Sequence, residues 1–201
     1  IPNVNPIPRP LQKPHPPIWI PGQGSLETMQ LIAKHRHTYM MIYAPQWFTK
    51  MAFDGLREEC NRVGYDAPKS MFNAAVPTYV AETDSQAHRE AKAHLSWLFN
   101  TGLKIPKTTY FPPGYMSNKS FRNFAGALKK GRVKQQCDVS YNDMIKDKYI
   151  FVGSPETVRN LLGEYCDEVG AGGILNVGSA FGPMPNWMVM KNMQILSKVI
   201  L

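Results

Sequence analysis

Alternation is the feature that most constrains this sequence. Short apolar runs at 18–20, 38–42, 72–81 and 172–177 each lead into a segment with apolar residues at helical spacing. Strands that alternate with helices pair in parallel, with the helices as crossovers. Four such strand–helix units make half of an eight-unit (β/α)8 barrel. A doubly wound sheet is the rival arrangement, and length does not separate the two. A further apolar stretch, 149–152, also runs into a helix start, at Gly153-Ser154-Pro155-Glu156.

The helix boundaries carry local signals. Ser25 predicts an N-cap for a helix to Lys34, with His35 and His37 at its close. Pro45 opens a longer helix with Phe48, Ala52, Leu56, Cys60 and Val63 on one face, and Gly64 stops it. Thr83 with Gln86 reads as a capping box, before Ala87, Ala91, Leu95 and Leu98. Ser154 as N-cap and Pro155 in the first turn start a helix with Val158, Leu161, Leu162, Tyr165 and Val169 inward. The final helix, from Asn186, is expected to turn Met190, Met193, Leu196 and Ile200 inward. Pro77 predicts an irregular or bulged strand at 72–81.

Composition enters through charge. The chain has 201 residues and a formal net charge of +8. Residues 103–148 alone carry 10 Lys/Arg against 3 Asp/Glu, and the flanking stretches are nearly neutral. The excess therefore reads as one inserted, mobile segment on a neutral scaffold. No helix-turn-helix, zinc-finger or RNA-module signature accompanies it, so a nucleic-acid partner is not expected. No apolar run is long enough for a membrane span. Cys60, Cys137 and Cys166 lie far apart without a CxxC, which points to a reducing, cytoplasmic setting. Residues 1–17 hold seven Pro and predict an extended connector. The chain begins Ile1-Pro2-Asn3, and the expectation is a piece of a longer protein.

The strongest chemical signal is Gly22-Gln23-Gly24-Ser25-Leu26-Glu27-Thr28, a strand end running through a glycine turn into a helix. Free N–H groups and the helix dipole at that end favour an anion, usually phosphate. Ser25 and Thr28 add hydroxyls, and Gly22 and Gly24 let the backbone come close. A simple well-capped helix fits the same residues, and spacing does not choose between the two. Glu27 stands where a dinucleotide fingerprint needs glycine. No Walker loop, nucleophile elbow or metal-ligand spacing is present. A second Gly-Ser-x-Glu-Thr at 153–157 reads as a structural cap, because Pro155 removes a donor. Phe181, Met184 and Trp187 follow the last strand, where a barrel builds its site, and are candidate walls of an apolar substrate pocket. The alternative is that they cover the core. No catalytic dyad stands out.

These blocks together resemble the bacterial-luciferase-like flavin-dependent monooxygenases. The likeness spans essentially the whole chain. It rests on residues 8–19, on 21–28, on Pro112-Pro113-Gly114-Tyr115, on 152–158 and on Phe181-Gly182-x-Met184-Pro185. The resemblance implies a TIM barrel, of which this chain is the second half, strands 5 to 8. It implies reduced FMN as cofactor, its phosphate at Gly22, Gln23, Gly24, Ser25 and Thr28, and deazaflavin F420 as the alternative. It further implies O2 and a small apolar substrate, a flavin reductase as supplier, and a homodimer of the full-length protein. The basic insertion matches the family's mobile shielding segment. Two departures stand out. The family's first four strands, with the usual catalytic histidine, are absent, and Leu26 replaces a frequent proline.

Overall fold

The computed structural model describes residues 7–104, 117–129 and 138–200. Residues 112–115, most of the basic run at 129–134, Cys137 and the first six residues of the connector lie outside the described residues.

Strand β1 (Trp19–Gly22) leads into α1 (Leu26–His35), then β2 (Thr38–Ile42), α2 (Gln46–Val63) and β3 (Phe72–Val80). Next come α3 (Asp84–Trp97), a π-helical turn (Leu98–Gly102), α4 (Asn118–Lys129) and α5 (Tyr141–Lys146). The chain closes with β4 (Phe151–Gly153), α6 (Pro155–Val169), β5 (Leu175–Gly178) and α7 (Asn186–Ile200). The helix ends follow the sequence. Ser25, Thr83 and Ser154 each cap with the side-chain oxygen, and Gly64 and Gly170 end α2 and α6 at φ 95° and 67°.

All pairings are parallel. Trp19 stands opposite Thr38, Tyr39 opposite Phe72, and Ala74 opposite Leu175. The order β1–β2–β3–β5 is the sheet of a half-barrel, and α1, α2, α6 and α7 contact one another in that order along its outside. One large core lies between sheet and helices. It joins Ile32, Tyr39, Met41, Phe53, Leu56, Phe72, Val76, Val158, Tyr165 and Leu196. Parallel sheets are usually buried on both faces. Here β2 alternates buried with half-buried, and Thr38, Met40 and Ile42 line the less covered face. Strands β1 and β5 are more exposed still, whereas β3 is buried throughout.

Strand β4 sits apart from this series. It pairs only with Thr78–Val80, the far end of β3, while β5 takes Ala74–Pro77. The partner changes at Pro77, which has no N–H to give a ladder. A second core collects around this extension: Tyr79, Ala87, Ala91, Leu95, Phe99, Val139, Met144, Tyr149, Val152 and Phe181. Helix α3 therefore belongs with residues 139–152 in a layer at the C-terminal end of β3, and α6 is the crossover to β5.

Two expected core faces differ. Met190 and Met193 are half exposed, whereas Leu196 is buried as expected and α7 also buries Met188, Asn192 and Val199; the side chain of Ile200 lies outside the described residues. Methionines all round this helix leave its apolar stripe undefined by sequence, and the hydrogen bonds of Asn192 fix the rotation. Val63 is exposed as well, in the last turn of α2.

Candidate functional site

The glycine turn after β1 and the start of α1 form a compact cradle. Gly24 adopts φ 75°, a conformation that costs other residues more. A Cβ at Gly22 would stand 2.6 Å from the Tyr39 ring, and one at Gly24 would stand 3.1 Å from Phe48. The Gly24 N–H donates to the Tyr39 hydroxyl at 3.0 Å. Burial pushes that phenol up to about 12, an effect partly offset by the Gly24 N–H. Ser25 Oγ accepts from Thr28 N at 3.3 Å and donates to Thr28 Oγ1 at 2.8 Å. Gln23 is exposed.

The second Gly-Ser-x-Glu-Thr repeats this geometry. Ser154 Oγ accepts from Thr157 N at 3.3 Å and donates to Thr157 Oγ1 at 3.0 Å. It also shows what the cradle binds. The Asp84 carboxylate sits in it, accepting from Ser154 N at 2.6 Å and from Thr157 Oγ1 at 3.2 Å. Those contacts hold the Asp84 carboxyl below its usual range, the Ser154 N–H foremost. At the first cradle the corresponding Ser25 N–H and Thr28 hydroxyl meet no such acceptor among the described residues. The two motifs share the Ser–Thr hydrogen bonds but not their acceptor. The cradle at Ser154 is filled by the chain's own Asp84 carboxylate, and no described side chain plays that part at Ser25.

Sequence reasoning missed Tyr43. It follows β2 with φ 51°, unusual for a bulky residue and typical of functional sites. Its N–H donates to Ala75 O at 3.1 Å, and its ring lies 6.3 Å from that of Phe99. A Cβ on Gly178 would stand 3.8 Å from its hydroxyl. Tyr43 therefore ties the end of β2 to the middle of β3 and to Phe99 of the second core. Only the positive φ would have revealed it, and sequence does not display φ at a tyrosine.

The three residues named as pocket walls separate. Phe181 is buried in the second core, Met184 packs partly against it, and Trp187 is 61% exposed at the start of α7. Gly182, at φ 62°, lies against Trp97 and the His94 carbonyl, so this loop is clamped onto α3.

A parallel half-barrel and a glycine turn capped by Ser25 after its first strand now stand together. Residues 2–171 match the profile of the luciferase-like monooxygenases. The chain belongs to that family. No curated protein matches the sequence. Solved structures share the fold. The monooxygenase RslO1 of Streptomyces bottropensis is 16% identical at TM-score 0.65, over 96% of this chain and 50% of its own. The oxygenating constituent of 3,6-diketocamphane monooxygenase of Pseudomonas putida, solved with FMN, is 21% identical at TM-score 0.62, over 92% and 48%. The coenzyme F420-dependent tetrahydromethanopterin reductase of Methanopyrus kandleri is 16% identical at TM-score 0.52, over 86% and 48%. The chain spans about half the length of these luciferase-like proteins.

Proposed function

We infer that the protein is a flavin-dependent monooxygenase that uses reduced FMN and O2 to oxidise a small apolar substrate such as an aldehyde, ketone or terpene. One observation carries this reading at the level of the site. The cradle at Gly24–Thr28 repeats the Ser–Thr hydrogen bonds of the one that holds the Asp84 carboxylate, with no carboxylate seated in it among the described residues. A flavin phosphate fits that donor set: Ser25 N–H and the Thr28 hydroxyl would hold it, with the α1 dipole behind them. Gly22, Gln23 and Gly24 give the close backbone approach. The bound flavin supplies the electrons that activate O2.

The chain's other residues orient and exclude water. Trp19, Met40 and Ile42 give the open sheet face an apolar lining. Phe99 with Tyr43 closes the strand ends, where shielding favours oxygen chemistry over side reactions. On this reading a flavin reductase delivers reduced flavin in the cytoplasm and the full-length protein is a homodimer. On the same reading the activity belongs to the full-length protein, this chain spanning about half the length of the solved proteins it matches.

Deazaflavin hydride transfer is the second reading, favoured by the shared fold of the F420-dependent reductase. Titration with both cofactors separates the two. The phosphate assignment is tested by Ser25→Ala with Thr28→Ala. FMN should weaken more than riboflavin, by about 1.5–3 kcal/mol per lost charged bond. Equal losses for both ligands refute it. Reductase-coupled assays on the full-length protein test the oxygenase reading, and no oxygen incorporation into any apolar carbonyl or terpene would sink it.

A further inference from the structure

The two Gly-Ser-x-Glu-Thr cradles differ in how the chain reaches them. Strand β4 ends at Gly153, directly before Ser154, and Gly153 is still in the ladder opposite Val80. Strand β1 ends at Gly22, so Gln23 and Gly24 stand between the ladder and Ser25. Two extra residues, one of them Gly24 at φ 75°, need support that a ladder no longer gives. Tyr39 supplies it. Its side chain is fully buried, its ring fills the space that a Cβ at Gly22 would need, and its hydroxyl takes the Gly24 N–H. The same ring packs edge-on against Phe53 of α2 at 6.0 Å between centroids, which anchors it in the main core.

We propose that Tyr39 is a positioning residue for phosphate selectivity: through Gly24 it sets the turn so that the Ser25 N–H and the Thr28 hydroxyl face the ligand's phosphate. By occupying the Gly24 N–H it also makes those two groups, and not the glycine, the anion's donors. The inference rests on the reading of this turn as a flavin-phosphate site. It adds a residue on the next strand, outside the motif, that never touches the ligand.

The test compares FMN with riboflavin, by flavin fluorescence, on the full chain and its variants. Tyr39→Phe keeps the ring and removes the hydroxyl. It should weaken FMN about five- to tenfold and leave riboflavin unchanged. Because Tyr39 acts by aiming the Thr28 hydroxyl, Tyr39→Phe in a Thr28→Ala background should cost FMN less than it does alone, whereas independent sites would add. A lower Tm with an unaltered FMN-to-riboflavin ratio would mean that Tyr39 only supports the fold, and overturns the proposal. Additive losses overturn it too. Equal affinity of the unmodified chain for FMN and riboflavin would instead remove the phosphate reading beneath it. Discrimination lost in Ser25→Ala/Thr28→Ala but kept in Tyr39→Phe leaves that reading standing and refutes the role of Tyr39 alone.

Discussion

Asp84 reaches 70 residues along the chain to accept the Ser154 N–H at 2.6 Å, which closes one of two equal oxyanion cradles. Replacing it should reopen that cradle. In Asp84→Ala, inorganic phosphate is expected to bind near Ser154 and Thr157, visible as new amide shifts on titration by NMR. No perturbation at 153–157 would count against the view that this sequence pattern is itself an oxyanion site.

The same carboxylate makes stability depend on pH. Its folded pKa is lowered, chiefly by the Ser154 N–H and then by the Thr157 hydroxyl. Its contribution is therefore fully present above the unfolded carboxyl value of about 4, and is lost as pH falls through the lower folded value. The side chain is exposed, so solvent screening keeps the effect to about 1 kcal/mol or less. Denaturation of the unmodified chain and Asp84→Asn across pH 2–6 should show the two curves converging at the acid end.

Asn192 is fully buried and completes the sheet where β3 changes partner. Its amide donates to Thr78 O at 2.9 Å and Ser179 O at 3.0 Å, and accepts from Val80 N at 2.9 Å. Asn192→Leu leaves those backbone groups without a partner, and about 3 kcal/mol should be lost. Urea unfolding measures it, and a loss below about 1 kcal/mol would show that water replaces the amide.

Gly182 holds the loop after β5 against α3. Alanine there meets a left-handed φ of 62° and places Cβ 2.9 Å from Trp97 and 3.1 Å from the His94 carbonyl. Gly182→Ala should cost about 1–3 kcal/mol. It should also raise hydrogen exchange in α3 more than in α1 or α2, since Leu95 and Phe99 belong to the other core.

The open edges of β1 and β5 give the last prediction. Each pairs on one side only among the described residues, and Trp19 is 38% exposed. Unpaired edges and an apolar face favour association. The isolated chain should therefore self-associate with rising concentration in light scattering. A monomer at all concentrations, with a sharp thermal transition, would contradict this.

The local plan was legible in the sequence because it rests on local chemistry. The strand–helix alternation, the caps at Ser25, Thr83 and Ser154, and the stop at Gly64 depend on residues within a turn of one another. The cradle at 22–28 was legible for the same reason. Sequence alone could not say which of two identical motifs is filled, because Asp84 meets Ser154 only when the β3 extension brings α3 against β4. Nor could it place Tyr39 under Gly24, which needs the β1–β2 register. The rotation of α7 rested on the buried bonds of one asparagine, and an all-round methionine pattern hid it. Short-range hydrogen bonding and periodicity determined the elements, whereas long-range pairing decided which of their polar ends meet a side chain from elsewhere in the chain, as Ser154 meets Asp84.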